Sequence, residues 1–180
     1  DFDISEKIMK AKSNESRDDI LVTYRNDSAC SYVIVGLIKK FAGKKVYVLC
    51  DSGSDNEARA IIMQNLKLLG FSDVCESEEL VAIAGDISKL KLGLSDEKYK
   101  TLSETVGRVY HFGLELNISK SYSSLRAKNI DGTNRIIEFC CDNSLKQLVF
   151  MSSLSIFRNI TIDDMPGCDE RSRFVPTRNM

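Results

Sequence analysis

Four short stretches hold the residue types that could do chemistry. The first is Thr23-Tyr24-Arg25-Asn26-Asp27-Ser28-Ala29-Cys30, which follows the apolar run Ile20-Leu21-Val22. A turn between a strand and a helix gathers free backbone N–H groups, and such groups can hold a phosphate. The second is Asp51, just after Lys45–Cys50 (KVYVLC). A carboxylate at the end of a second strand can accept from ribose hydroxyls. The third is Gly85-Asp86-Ile87, a turn after a third apolar run. The fourth is Ser152-Ser153-Leu154-Ser155, whose hydroxyls follow a fifth run, Gln147–Met151. His111 is the sole histidine of the chain. Alone it completes neither a zinc site nor a Ser-His-Asp triad.

Composition narrows the options. A chain of 180 residues with 43% hydrophobic and 28% charged residues can bury the core of one domain. A net charge of −1 gives no basic footprint for nucleic acid or an anionic membrane. No apolar run approaches the roughly 20 residues of a membrane span. Cys30, Cys50, Cys75, Cys140, Cys141 and Cys168 form no CxxC pair. Cys30, Cys50, Cys140 and Cys141 lie in apolar segments and are expected as buried, reduced thiols of a cytoplasmic protein. No metal site is expected.

The elements that must position these residues alternate. Strands are expected at 20–24, 45–50, 80–84, 108–112 and 147–151. Helices are expected at 30–41, from Ser54-Asp55 to about Leu69, from Ser95 onward, around 121–128, and at about 132–141. Asp27 and Ser28 are expected as caps of the first helix, and Gly70 as the stop of the second. Strands alternating with helices imply an α/β fold, a doubly wound parallel sheet of about five βα units. Residues 1–18 read as a polar linker, 19–157 as the core, and 158–180 as an irregular segment holding both prolines, Pro166 and Pro176.

The succession VAIAGDISKLKLGLS, RVYHFGLELNIS, NIDGTNRIIEFC and KQLVFMSSLSIF, from Val81 to Phe157, resembles the thioester reductase (terminal R) domains of nonribosomal peptide and polyketide synthetases. These belong to the extended short-chain dehydrogenases. The resemblance implies a Rossmann-like sheet, NADPH as cofactor, and a carrier protein or neighbouring synthetase domains as partners. It also implies further strands and a C-terminal substrate domain that this sequence lacks, so it reads as a truncated member.

Position by position, the resemblance implies a degenerate site. Thr23 stands where the family has a Thr, but the three turn glycines fall on Tyr24, Asp27 and Cys30. An Arg for the 2′-phosphate falls on Asp51, and the adenine-edge turn falls on Gly85-Asp86. The catalytic Ser/Thr falls on Ser153. The YxxxK pattern is absent, and Phe174 and Arg178 stand as replacements for its Tyr and Lys. Phenylalanine has no proton to give, and arginine keeps only the charge. Asn117 and Asn129 match family positions after the fourth strand, and His111 is expected as a strand-end residue with a hydrogen-bonded ring.

Three functions follow as expectations. One is a non-reducing module without a cofactor, used for structure or for docking a carrier protein or neighbouring domain. A second is redox-neutral, Dieckmann-type product release, with Ser153, Asp86 or His111 assisting proton transfer. The third is a fragment of an NADPH-dependent thioester reductase.

Overall fold

A computed structural model of the chain describes residues 18–117 and 119–153. Five parallel strands form one sheet in the order β3-β2-β1-β4-β5. They are β1 (Asp19–Thr23), β2 (Val46–Cys50), β3 (Leu80–Ala84), β4 (Val106–His111) and β5 (Gln147–Phe150). The helices are α1 (Ser28–Lys40), α2 (Asp55–Leu68), the short α3 (Ser72–Cys75), α4 (Asp96–Thr105), α5 (Tyr122–Arg126) and α6 (Gly132–Cys141). A π-helical turn, Ala127–Asp131, joins α5 to α6.

The strands are apolar because both faces of the sheet are covered. Leu21, Leu49, Ile83 and Val109 face one side and pack with Leu102 of α4 and Ile136 and Phe139 of α6. Ile20, Val22, Val46 and Val48 alternate to the other side and are fully buried. There α1 and α2 contribute Ile34, Ala58, Ile62 and Leu66. The paired registers Thr23↔Leu49 and Thr23↔His111 align the C-terminal ends of β1, β2 and β4.

Local signals set the element ends. Asp27 is the N-cap of α1, and its carboxylate accepts from the Cys30 N–H at 2.8 Å. Ser28, expected as a second cap, is instead the first helical residue. Ser54 and Ser95 cap α2 and α4. Gly70 follows α2 with φ +86°, a conformation that suits glycine. The two helices expected at 121–128 and 132–141 run together through the π turn, which carries Lys128 and Asn129. Cys141 is only half-buried, unlike Cys30, Cys50, Cys75 and Cys140. No helix of the described residues is long and apolar enough to cross a membrane.

Candidate functional site

The strand order reverses between β1 and β4, and this is where α/β sheets open a crevice at their C-terminal ends. A cleft of about 480 Å³ lies there, walled by Tyr24–Asn26 after β1, Cys50-Asp51 at the end of β2, Gly113–Leu116 after β4, and Lys128 of the π turn. A volume of that size suits a small ligand.

The first wall is self-filled. Tyr24 is 8% exposed and lies under the turn. Its hydroxyl donates to Asn26 Oδ1 at 3.2 Å and accepts from Asn65 Nδ2 of α2 at 3.1 Å. The same amide reaches Ser31 Oγ at 2.9 Å. Asp27 Oδ1 takes the Cys30 N–H, and its other oxygen pairs with Arg25 Nε. One of the N–H groups that an external anion would use at this helix end, that of Cys30, is therefore bonded to an internal carboxylate, and the Arg25 guanidinium is paired with the same group. Cys30 is fully buried, and burial raises its thiol to about 12, so it is no nucleophile.

The second wall is charged but compensated. Asp51 Oδ2 accepts from Lys128 Nζ at 2.8 Å, a contact across the cleft between residues 77 apart in sequence. Asp51 is one half of an ion pair with Lys128. Beside it, burial raises the Cys50 thiol to about 11.

The floor is built from close contacts. A Cβ on Gly85 would meet Leu49 Cδ1 at 2.4 Å and the Leu92 carbonyl oxygen at 2.7 Å. Asp86 Oδ1 accepts from the Ser88 N–H and hydroxyl at 2.9 and 2.6 Å. Burial works to raise the Asp86 pKa, but these bonds and Lys89 outweigh it and hold the carboxyl below its ordinary value. Asp86 N–H donates to Leu92 O at 2.8 Å, closing a turn in which Lys91, Leu92 and Gly93 all have positive φ.

His111 ends β4 and is fully buried. Nδ1 lies 2.7 Å from Thr23 Oγ1, and Nε2 lies 3.1 Å from Thr133 Oγ1. Burial lowers its pKa to about 4, so the ring is neutral at pH 7. Asn129 holds the Glu115 backbone in both directions: Oδ1 accepts from its N–H at 2.8 Å and Nδ2 donates to its carbonyl at 2.9 Å. Asn117 closes a turn by accepting from the Ser119 N–H at 3.0 Å.

Of the sequence candidates, the structure brings Tyr24 and Asp51 into the cleft wall and places Asp27 and Cys30 at the adjoining helix end. Asp86 sits in its own turn. Ser153 lies three residues past β5 and is exposed. Phe174 and Arg178 lie outside the described residues. The sequence reading missed Arg25, Asn65, Lys128 and Thr133. Asn65 and Lys128 carried no local signal, because their partners are distant in the chain. Among the described residues no group of His, Cys, Asp or Glu could hold a metal ion.

A switch-point cleft over parallel strands, with glycine-tight turns after β3 and β4, defines a Rossmann-type domain like those of the short-chain dehydrogenases. Residues 30–165 match the NAD-binding family described as "Male sterility protein", and the chain belongs to that family. The matched stretch opens at Cys30, so β1 and its turn lie outside it. The chain is 28% identical over 156 residues to "Probable polyketide synthase 3" of Dictyostelium discoideum, covering 81% of this chain and 6% of that protein. The solved terminal R domain of the myxalamid PKS-NRPS pathway is 25% identical with a TM-score of 0.74, covering 85% of this chain and 42% of that one. A thiolation-reductase di-domain from an archaeal nonribosomal peptide synthetase shares the fold, with a TM-score of 0.63 at 16% identity over 89% of this chain and 33% of that one. The described residues thus carry the reductase-domain fold over less than half the length of the solved domains.

Proposed function

We propose that this chain is a reductase-type domain of a polyketide or peptide synthetase that neither binds NAD(P)H nor reduces a thioester, and that it serves as a structural module docking a carrier protein or neighbouring domain. The observation that carries this reading is the Asp27 carboxylate. It sits on the N–H of Cys30 and against Arg25, where a pyrophosphate would need both. Tyr24 supports the reading by filling the space beneath, held by Asn65. The glycines that would let a pyrophosphate approach the backbone are absent from Tyr24 to Val35. Asp51 adds a negative charge where a 2′-phosphate would sit, and it is paired with Lys128.

Redox-neutral release has less support. His111 has both ring nitrogens engaged, and Asp86 is held as a carboxylate by Ser88, so neither is poised as a free base.

The test is a single-turnover assay with a thioester on its carrier protein. With NADPH present, the account expects neither aldehyde nor alcohol, while the carrier still shifts amide resonances of the domain. Formation of aldehyde would overturn the non-reducing reading. Absence of any carrier-induced shift would overturn the docking reading.

A further inference from the structure

The hydrogen bonds around His111 favour one arrangement of protons, in which the Phe112 N–H is shared between Thr23 Oγ1 and the Thr23 carbonyl, 3.3 Å away. Thr23 Oγ1 accepts the backbone N–H groups of Phe112 at 3.0 Å and Gly113 at 2.9 Å. A hydroxyl oxygen has two lone pairs, so both are used. Its own hydrogen is then left for His111 Nδ1 at 2.7 Å, which must accept. Nε2 therefore carries the ring proton and donates to Thr133 Oγ1 at 3.1 Å. Thr133 in turn donates to the Asn129 carbonyl at 2.7 Å. The Asn129 side chain holds both backbone groups of Glu115.

The stretch Phe112–Glu115 is thus anchored at both ends. Thr23 grips its start, Asn129 grips its finish, and one imidazole joins the two grips. Gly113 and Glu115 line the cleft.

We propose that His111 is the keystone of a latch on this cleft wall, and that adding a proton to the ring releases the 113–116 wall while the sheet stays folded. A charged ring carries an N–H on both nitrogens. The new Nδ1–H would point at a Thr23 oxygen with no free lone pair, and the Thr23 hydrogen would lose its acceptor. The groups around the ring are Thr23 from β1, Thr133 from α6 and the Phe150 ring of β5, with ring centroids 5.5 Å apart. None of them offers a charge to stabilise the cation, and the lowered pKa comes from burial alone. The latch is therefore shut at neutral pH and opens in acid. This holds whether or not the cleft takes a ligand.

The experiment is ¹⁵N NMR of the whole chain from pH 7 to 3.5, with amide exchange read residue by residue. The expected result at pH 7 is the Nε2–H tautomer of His111. As the ring titrates, the protection factors of Gly113 and Glu115, taken against the intrinsic exchange rate at each pH, should fall at least tenfold while Val48 in β2 keeps its protection. An Nδ1–H tautomer would overturn the proposal. So would Gly113 and Glu115 losing protection only together with Val48. A variant, Thr133→Val, removes the hydroxyl that links the ring to the Asn129 carbonyl while leaving the imidazole and its Thr23 bond in place. It should speed exchange at Glu115 several-fold at pH 7, and unchanged exchange there would also overturn the latch.

Discussion

The turn after β1 and the floor of the cleft belong to one crevice, yet their residues answer to different demands. In the floor, glycines stand where a Cβ would strike the protein itself. A Cβ on Gly85 would strike Leu49 and the Leu92 carbonyl, one on Gly113 would lie 3.0 Å from Thr23 Oγ1, and one on Gly132 3.0 Å from Ile87 Cγ1. In the turn, the positions where the resemblance places glycines hold Tyr24, Asp27 and Cys30. Nothing of the protein's own fold objects to those side chains: Tyr24 and Cys30 are buried, and Asp27 caps a helix. The fold needs the floor glycines for its own packing, whereas the turn after β1 accommodates larger side chains without conflict. Under the proposed function, a domain that binds no cofactor can dispense with glycines in the turn while keeping those of the floor.

The sharpest way to break this comparison is at Gly85. Gly85→Ala should destabilise the domain by about 2–4 kcal/mol, because the Leu92 carbonyl is backbone and cannot swing away. Chemical denaturation measures it. A cost under about 0.5 kcal/mol would mean that the floor is no tighter than the turn.

The next effect belongs to His111. Its folded pKa, about 4, lies below the ordinary 6.5, so between these values the unfolded chain binds the proton and the folded chain does not. The stability contributed by the neutral ring is present above pH 6.5 and is lost as the pH falls toward 4. The loss is on the order of 1.4 kcal/mol per pH unit in that window. Comparing the pH dependence of stability for the native chain and His111→Phe isolates it. The variant should lack this slope and, at pH 7, should cost about 2–3 kcal/mol by leaving the hydroxyls of Thr23 and Thr133 without their partner.

Asp27 should matter less. Asp27→Ala removes the α1 cap and the partner of Arg25, and should cost about 1–2 kcal/mol. Asp27→Asn keeps an acceptor for the Cys30 N–H and should recover most of it. The smallest effect is expected across the cleft. Asp51 and Lys128 remain partly exposed, and Lys128→Ala should shift stability by under about 1 kcal/mol. A larger loss at Lys128 than at Asp27 would invert the order of the two walls.

Much of the fold was legible because it is written locally. The apolar runs ILVT and VYVLC became β1 and β2, Asp27, Ser54 and Ser95 became caps, and Gly70 became a stop. The site was less legible because its bonds are long in sequence. Thr23 meets His111 across 88 residues, Tyr24 meets Asn65 across 41, and Asp51 meets Lys128 across 77. The π turn was also hidden, since 121–128 and 132–141 read as two helices when the backbone runs through both. The motif at Gly85-Asp86 carried two meanings in sequence, and its contacts with Leu49, Leu92 and Ser88 are those of a packed turn.

The central claim is that the protein's own side chains occupy the place of a cofactor phosphate. Calorimetric titration of the purified chain with NADPH and NADH tests it directly. The account predicts no binding of either at millimolar concentration, while the same chain shows a cooperative unfolding transition that proves it folded. Binding in the micromolar range would contradict it, and would mean that Asp27 and Tyr24 leave the turn when a dinucleotide arrives.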